Sequence, residues 1–388
     1  MQNSGIPLLG TLVLVLGTLA AAPGAGAAGA GAAPAGTIRL AQADGGVRSA
    51  SVPLDGLRTG VLRSTRFSMV GLTWRGEEPR AELRTRAVAG RWGAWRTVQP
   101  MHDEAEADER RSAVRGSDLM WTGPSDRVQV RPASARSGKP RRVRLVLIDP
   151  GRRAADQRPP ATPAAPNASV VAASGARVAA RTKATAAPRP TLHGRKAWSA
   201  NEGWRHGSPT YNTGLSQVHV HHSATGNGYA KADVPGIVRG MYSYHTKSLG
   251  WSDLGYNFLV DRFGRAWVGR AGGAARPVRG AHTLGFNHNS VGIAMIGNYA
   301  SAAPTKKSLR AVANIAAWKL DKHGRPRATG KVGVRSTGSD RFAAGVKVRL
   351  PVVDGHRDSN ETACPGELLY QRLPWIRRVA QKRMTRFS

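Results

Sequence analysis

From residue 196 onward the apolar positions switch between two periods. "QVHVHHS" (217–223) alternates residue by residue, the pattern of a strand. Asp233 can N-cap a helix that carries Ile237, Met241, Tyr244 and His245 on about one face. "YNFLVDRFGRAWVG" reads as a hairpin turning at Asp261–Gly264, and "SVGIAMIG" (290–297) as a continuous apolar run, hence a buried central strand. Thr305 opens a helix with Leu309, Val312, Ala316 and Leu320 inward, and Gly324 stops it. A basic hairpin then leads to an apolar strand ending at His356, and Pro365 starts the last helix. The pattern predicts an α/β domain over 196–388, a central mixed β-sheet flanked by helices.

Upstream the period is shorter. "RFSMVGLTWRG", "AELRTRAV", "GRWGAWRTV", "SDRVQVRP" and "RRVRLVLID" are short strand-like runs separated by Gly, Pro, Ser and Asp. They predict an all-β, sandwich-like or jelly-roll module over 37–150. Its acidic stretch "DEAEADE" (103–109) reads as a solvated loop. Residues 151–195 are Ala, Pro, Thr and Arg with one acidic residue, Asp156, which predicts a disordered linker. The two halves should then be separable, and a fragment from Lys196 should fold and act alone.

Composition changes the picture in three places. "IPLLGTLVLVLGTLAAA" (6–22) and the small residues after it read as a secretory signal peptide with a small-residue tail over 1–36. Residues 1–5 carry no Lys or Arg, which leaves a retained membrane anchor as the competing reading. The formal net charge is +34, with 29 basic and 10 acidic residues in 196–388 and 29 and 14 before it. A field spread this way favours anionic polymers. No basic-aromatic nucleic-acid motif accompanies it, and with the leader this argues against a nucleic-acid partner. Cys364 is the chain's one cysteine, so it is an inert thiol, an intermolecular bridge or a metal ligand.

The candidate chemistry lies in two stretches. "QVHVHHS" places His219 and His221 on one strand face and His222 on the other. "DGHRDSNETACPG" (354–366) places His356 and Cys364 eight residues apart between a strand and a helix. One imidazole and one thiolate there, joined by an imidazole from the first strand, make a three-ligand site of the mixed N/S kind that zinc occupies, with a fourth position for water. Spacing alone leaves His219 and His221 both open.

"VHHSATG", "GWSDLGYNFLVDRFGRAWVGR", "GAHTLGFNHNSVGIAMIGNY" and "GHRDSNETACPG" occur in that order. Together they resemble the peptidoglycan recognition protein / type 2 N-acetylmuramoyl-L-alanine amidase family, the zinc amidases that include the phage T7 lysozyme. The resemblance covers 196–388, and the β module is similar, more loosely, to those preceding this domain in secreted actinobacterial amidases. It implies Zn2+ held by His221, His356 and Cys364, with Tyr256 and Thr362 as catalytic donors to the oxyanion. It also implies His245 and His282 on the wall of the substrate cleft. Glu361, the nearby carboxylate, is not implied as a base. The implied reaction is hydrolysis of the amide between N-acetylmuramic acid and L-alanine by a secreted, wall-associated monomer. Peptidoglycan, with other anionic wall polymers, is the implied partner, and no membrane insertion follows signal cleavage. The alternative is a non-catalytic peptidoglycan-binding protein, although such members typically lack the cysteine. Two departures stand out: "GRAGGAAR" (269–276) replaces the family's stem-peptide-reading stretch, and a cysteine pair common in relatives is absent near Lys231 and Phe263.

Overall fold

The computed structural model describes residues 36–42, 46–102, 106, 111–134, 139–157 and 186–387. The signal peptide expected over 1–36 falls almost wholly outside the described residues. So do most of the acidic stretch 103–109 and the middle of the expected linker, 158–185. No helix among the described residues is long and apolar enough to cross a membrane.

The N-terminal domain is an antiparallel β structure. Its strands are β1 (Ala41–Gln42), β2 (Arg48–Pro53), β3 (Leu62–Gly76), β4 (Ala81–Ala87), β5 (Arg96–Thr97), β6 (Arg115–Gly116), β7 (Met120–Pro132) and β8 (Pro140–Asp149). They run in the order β1-β2-β8-β3-β7-β4-β5, and β6 pairs with β3. Because side chains alternate along a strand, β8 sends Val143, Leu145 and Leu147 into the domain's own core with Val70, Leu72 and Trp74 of β3. Its other face, Val146 and Ile148 with Met69 of β3, is equally buried, but in a different cluster. That second cluster belongs to both domains.

The C-terminal domain has a five-stranded mixed sheet. Its strands are β9 (Gln217–His222), β10 (Phe258–Val260), β11 (Ala266–Val268), β12 (Ser290–Met295) and, after the β13–β14 hairpin (Lys331–Arg335, Lys347–Pro351), β15 (Val353–Gly355). The order is β11-β10-β12-β9-β15. The β10–β11 hairpin is antiparallel and every other pairing is parallel, with β12 in the centre as its unbroken apolar run predicts. Two helices, α3 (Lys306–Lys322) and α5 (Leu373–Phe387), pack with the sheet in one core around Ile293, Val312, Ala316 and Ile376. Thr305 caps α3 by accepting the Ser308 N–H at 3.1 Å. A short helix α4 (Glu367–Tyr370) precedes α5, so the last helix begins later than Pro365.

Helix α2 (Val234–Ser243) joins the domains. Asp233 does not cap it: its carboxylate accepts from the Ala230 N–H and pairs with Arg152 at 2.8 Å. Gly240 lies against the Met69 sulfur, where a methyl group would collide. Arg239 is fully buried and donates five hydrogen bonds: two to Asp156, and one each to the carbonyls of Pro150, Gly151 and Trp198. Asp156 sits on the helical turn α1 (Ala154–Gln157), inside the stretch expected to be linker. At the other end of that stretch, Leu192 is buried, and His193 donates to Ala266 and accepts from Val268 as a short extra strand. Both ends of 151–195 are therefore folded. The described C-terminal part begins at 186, ten residues before the expected boundary.

Candidate metal centre and substrate cleft

Register builds the site. β9 and β15 run parallel with His219 opposite Asp354. Two residues further on the same face come His221, at the end of β9, and His356, immediately after β15. Their ring centroids lie 4.6 Å apart. Ligand sites in parallel sheets form beyond the carboxyl ends of the strands, and this one obeys that geometry. The 356–366 loop then turns back over the strand ends. It places the Cys364 sulfur 3.7 Å from His221 Nδ1, and the His222 N–H donates to that sulfur at 3.4 Å.

His221, His356 and Cys364 each offer one donor atom, and these atoms all lie within 4.8 Å of one another at buried positions. Two imidazoles and one thiolate, convergent and shielded, fit a zinc ion with one position left open. The pKa of His221 is pushed well below its ordinary value, first by burial and then by His219, so the ring is neutral, as a ligand must be. With Nδ1 toward the sulfur, Nε2 faces the Thr283 hydroxyl at 3.3 Å and His282 Nδ1 at 3.2 Å. These groups fix the ring's orientation from behind, which is how outer partners tune a metal ligand.

The competing histidine is removed by its own strand pairing. His219 Nδ1 lies 2.6 Å from the Asp354 carboxylate, both side chains having no exposure. Burial raises Asp354 to about 6 against the pull of His219. That pair is structural support one level below the site.

The other predicted residues divide. Thr362 lies on the cleft rim beside the triad, and its hydroxyl accepts the Cys364 N–H at 3.1 Å. Tyr256 packs its ring 5.5 Å from that of His221 and is 3% exposed. His282 is not on the cleft wall where the resemblance puts it. It is wholly buried behind His221, its ring lying where side chains on Gly280 and Gly292 would collide. His245 likewise lies inside, accepting the Gly255 N–H at 3.1 Å and stacking on Trp251 at 4.5 Å. Both were expected at the substrate. Periodicity had put His245 on the apolar face of its helix, while His282 was named through the resemblance alone.

The cleft beside the triad has a volume of about 240 Å3. One wall is Thr362, Ala363 and Cys364, with His222 and Asn298 at the strand ends. The rest of the lining includes Gln99, Pro100, His102 and Asp118 of the N-terminal domain, which sequence reasoning missed entirely.

Comparison with known proteins bears on both domains. Residues 37–168 match the family described as Rv3811 N-terminal galactose-binding domain-like. Residues 211–367 match the N-acetylmuramoyl-L-alanine amidase family. Over residues 211–367 the C-terminal domain is similar to the peptidoglycan recognition / type 2 amidase family. Peptidoglycan-recognition protein SC2 of Drosophila simulans is 29% identical over 159 residues, 41% of this chain and 72% of the relative. The human N-acetylmuramoyl-L-alanine amidase is 29% identical over 191 residues, 47% of this chain but only 28% of the relative. Mouse peptidoglycan recognition protein 1 is 34% identical over 134 residues, 34% of this chain and 59% of the relative. Among solved structures, Drosophila PGRP-LB aligns at a TM-score of 0.37 with 28% identity, over 47% of this chain and 91% of that one. The amidase family match takes in His221, Tyr256, His356, Thr362 and Cys364.

Proposed function

We propose that this protein is a zinc-dependent amidase that hydrolyses the bond between N-acetylmuramic acid and the L-alanine of the stem peptide. The observation that carries the reading is the convergence of His221, His356 and Cys364 beside a cleft that His356 and Cys364 line. A recognition protein that only binds has no need of a buried thiolate there. When bound, zinc would lower the pKa of a water toward ~7 and polarise the scissile carbonyl. The chain's own groups do the rest. Thr362 stands at the rim with its hydroxyl already oriented by the Cys364 backbone. It is placed to donate to the carbonyl oxygen as negative charge develops. The phenol of Tyr256, held beside His221, is the second donor. A secreted, wall-associated monomer fits this substrate, and the net charge of +34 would hold the anionic wall polymers.

Incubation with purified peptidoglycan tests the reading. The expected products are free stem peptides with new L-alanine N-termini, and glycan strands of unchanged length. Wall binding without any new N-termini would transfer the protein to the recognition class. Tyr256→Phe separates the two readings at one residue. It should keep its zinc and its wall affinity while turnover falls by roughly 10²–10³, the usual cost of one oxyanion donor. Undiminished turnover with zinc in place would return Tyr256 to a packing role.

A further inference from the structure

The N-terminal domain reaches the cleft with Gln99, His102 and Asp118, which line it together with Thr362 and Cys364. Their backbone is paired: Asp118 donates to the Gln99 carbonyl at 2.9 Å, Met101 to that of Gly116 at 2.9 Å, and Pro100 bridges to Ser117. This pair is fastened to the catalytic domain on two sides. The Tyr244 hydroxyl donates to the Leu72 carbonyl at 2.8 Å beneath Gly116, and the Trp121 N–H donates to the Thr225 carbonyl at 2.8 Å. Thr225 follows Ala224, a cleft residue held at a left-handed φ of 47°, a conformation non-glycine residues adopt only where their surroundings impose it. The wall is thus a fixed part of the cleft.

The lining has a distinct chemistry. The chain carries 58 Lys and Arg residues, yet among the described residues no Lys or Arg lines this cleft. Among the described lining residues, apart from the candidate metal ligands, the polar groups are amides, a hydroxyl, imidazoles and one carboxylate, that of Asp118. Such a set suits neutral groups rich in hydroxyls and amides rather than carboxylates or phosphates, and a carboxylate accepting from hydroxyls makes the stronger hydrogen bonds.

We infer that the N-terminal domain forms a sugar subsite of the catalytic cleft, with Asp118 and Gln99 binding the hydroxyl- and acetamido-bearing aminosugar on the acyl side of the scissile amide. The inference rests on the proposed amidase reading for the identity of that sugar, but its test needs no turnover. The probes are the two products: a disaccharide ending in N-acetylmuramic acid, and the free stem peptide. Binding of each to the full-length protein is followed by NMR or calorimetry. Asp118→Ala should weaken the disaccharide at least tenfold and leave the stem peptide unchanged. Gln99→Ala, whose backbone bond to Asp118 survives the substitution, should act in the same direction and guards against misfolding of the first variant. Equal loss for both probes, no loss for either variant, or no disaccharide binding by the unaltered protein would overturn the subsite. Loss of cleavage activity in the unaltered protein, with selective sugar binding retained, would instead count against the amidase reading alone.

Discussion

Cys364→Ser should empty the metal site and end turnover, while the fold remains. The serine hydroxyl is not ionised near neutral pH, so one of three protein donors is lost together with the soft ligand that favours zinc. The loss in affinity should exceed the roughly 10–100-fold that removing an outer partner costs. Elemental analysis of the purified protein should give one zinc per chain, and of the variant close to none. Stoichiometric zinc in Cys364→Ser would take the thiolate out of the site. His219→Ala is the informative control, because it alters the neighbouring imidazole on the same strand face. It should retain zinc in its folded fraction but lose stability by about 3–5 kcal/mol, since Asp354 would be left buried without its partner.

A fragment beginning at Lys196 should fail to fold stably, contrary to what the linker composition predicts. Removing the N-terminal half strips Arg239 of Asp156 and of the Pro150 and Gly151 carbonyls. One broken buried pair of this kind costs about 3–5 kcal/mol, a large share of the ~5–15 kcal/mol that holds a domain together. The cut also exposes the face of α2 at Gly236 and Gly240 that packs on Pro150 and Met69. It removes the extra strand at His193 and the Arg195–Asp253 ion pair as well. Starting at residue 186 restores the last two but not the interface. Circular dichroism and thermal melts of both fragments beside the full chain would decide it. A cooperative melt of the Lys196 fragment near that of the full chain would show the interface to be dispensable.

Much of the C-terminal domain was legible in one dimension because its signals are local. Alternation in "QVHVHHS", the unbroken apolar run of β12, the Thr305 cap and the stop at Gly324 each depend on a few adjacent residues, and each appears in the structure. The candidate metal ligands were reached by resemblance, since eight residues between His356 and Cys364 is too common a spacing to decide anything alone. Geometry then explained the choice between His219 and His221: the parallel register of β9 and β15 gives the first a carboxylate and the second a histidine. The caps and ends were less secure. Asp233 looked like an N-cap and serves instead as an interdomain anchor, because Arg152 and the Ala230 N–H take up its oxygens.

By itself, the sequence determined the classes of its elements, the α/β character of 196–388, the β character of 37–150 and the residue types able to hold a metal. These follow from periodicity and side-chain chemistry, which act between near neighbours. Only the tertiary structure decided depth and adjacency. The apolar run "RLVLID" of β8 carries hydrophobic residues on both faces, and nothing local shows that the second face belongs to another domain's core. The depth of His245 and His282 was hidden for the same reason, as burial depends on what packs over a residue from distant parts of the chain. Gln99, His102 and Asp118 come within reach of Cys364 through contacts that join residues more than 100 positions apart, such as Trp121 with Thr225 and Leu72 with Tyr244. Pairings of that length leave no periodic trace, because the chain between them is free to vary while the backbone hydrogen bonds that close them are indifferent to side-chain identity.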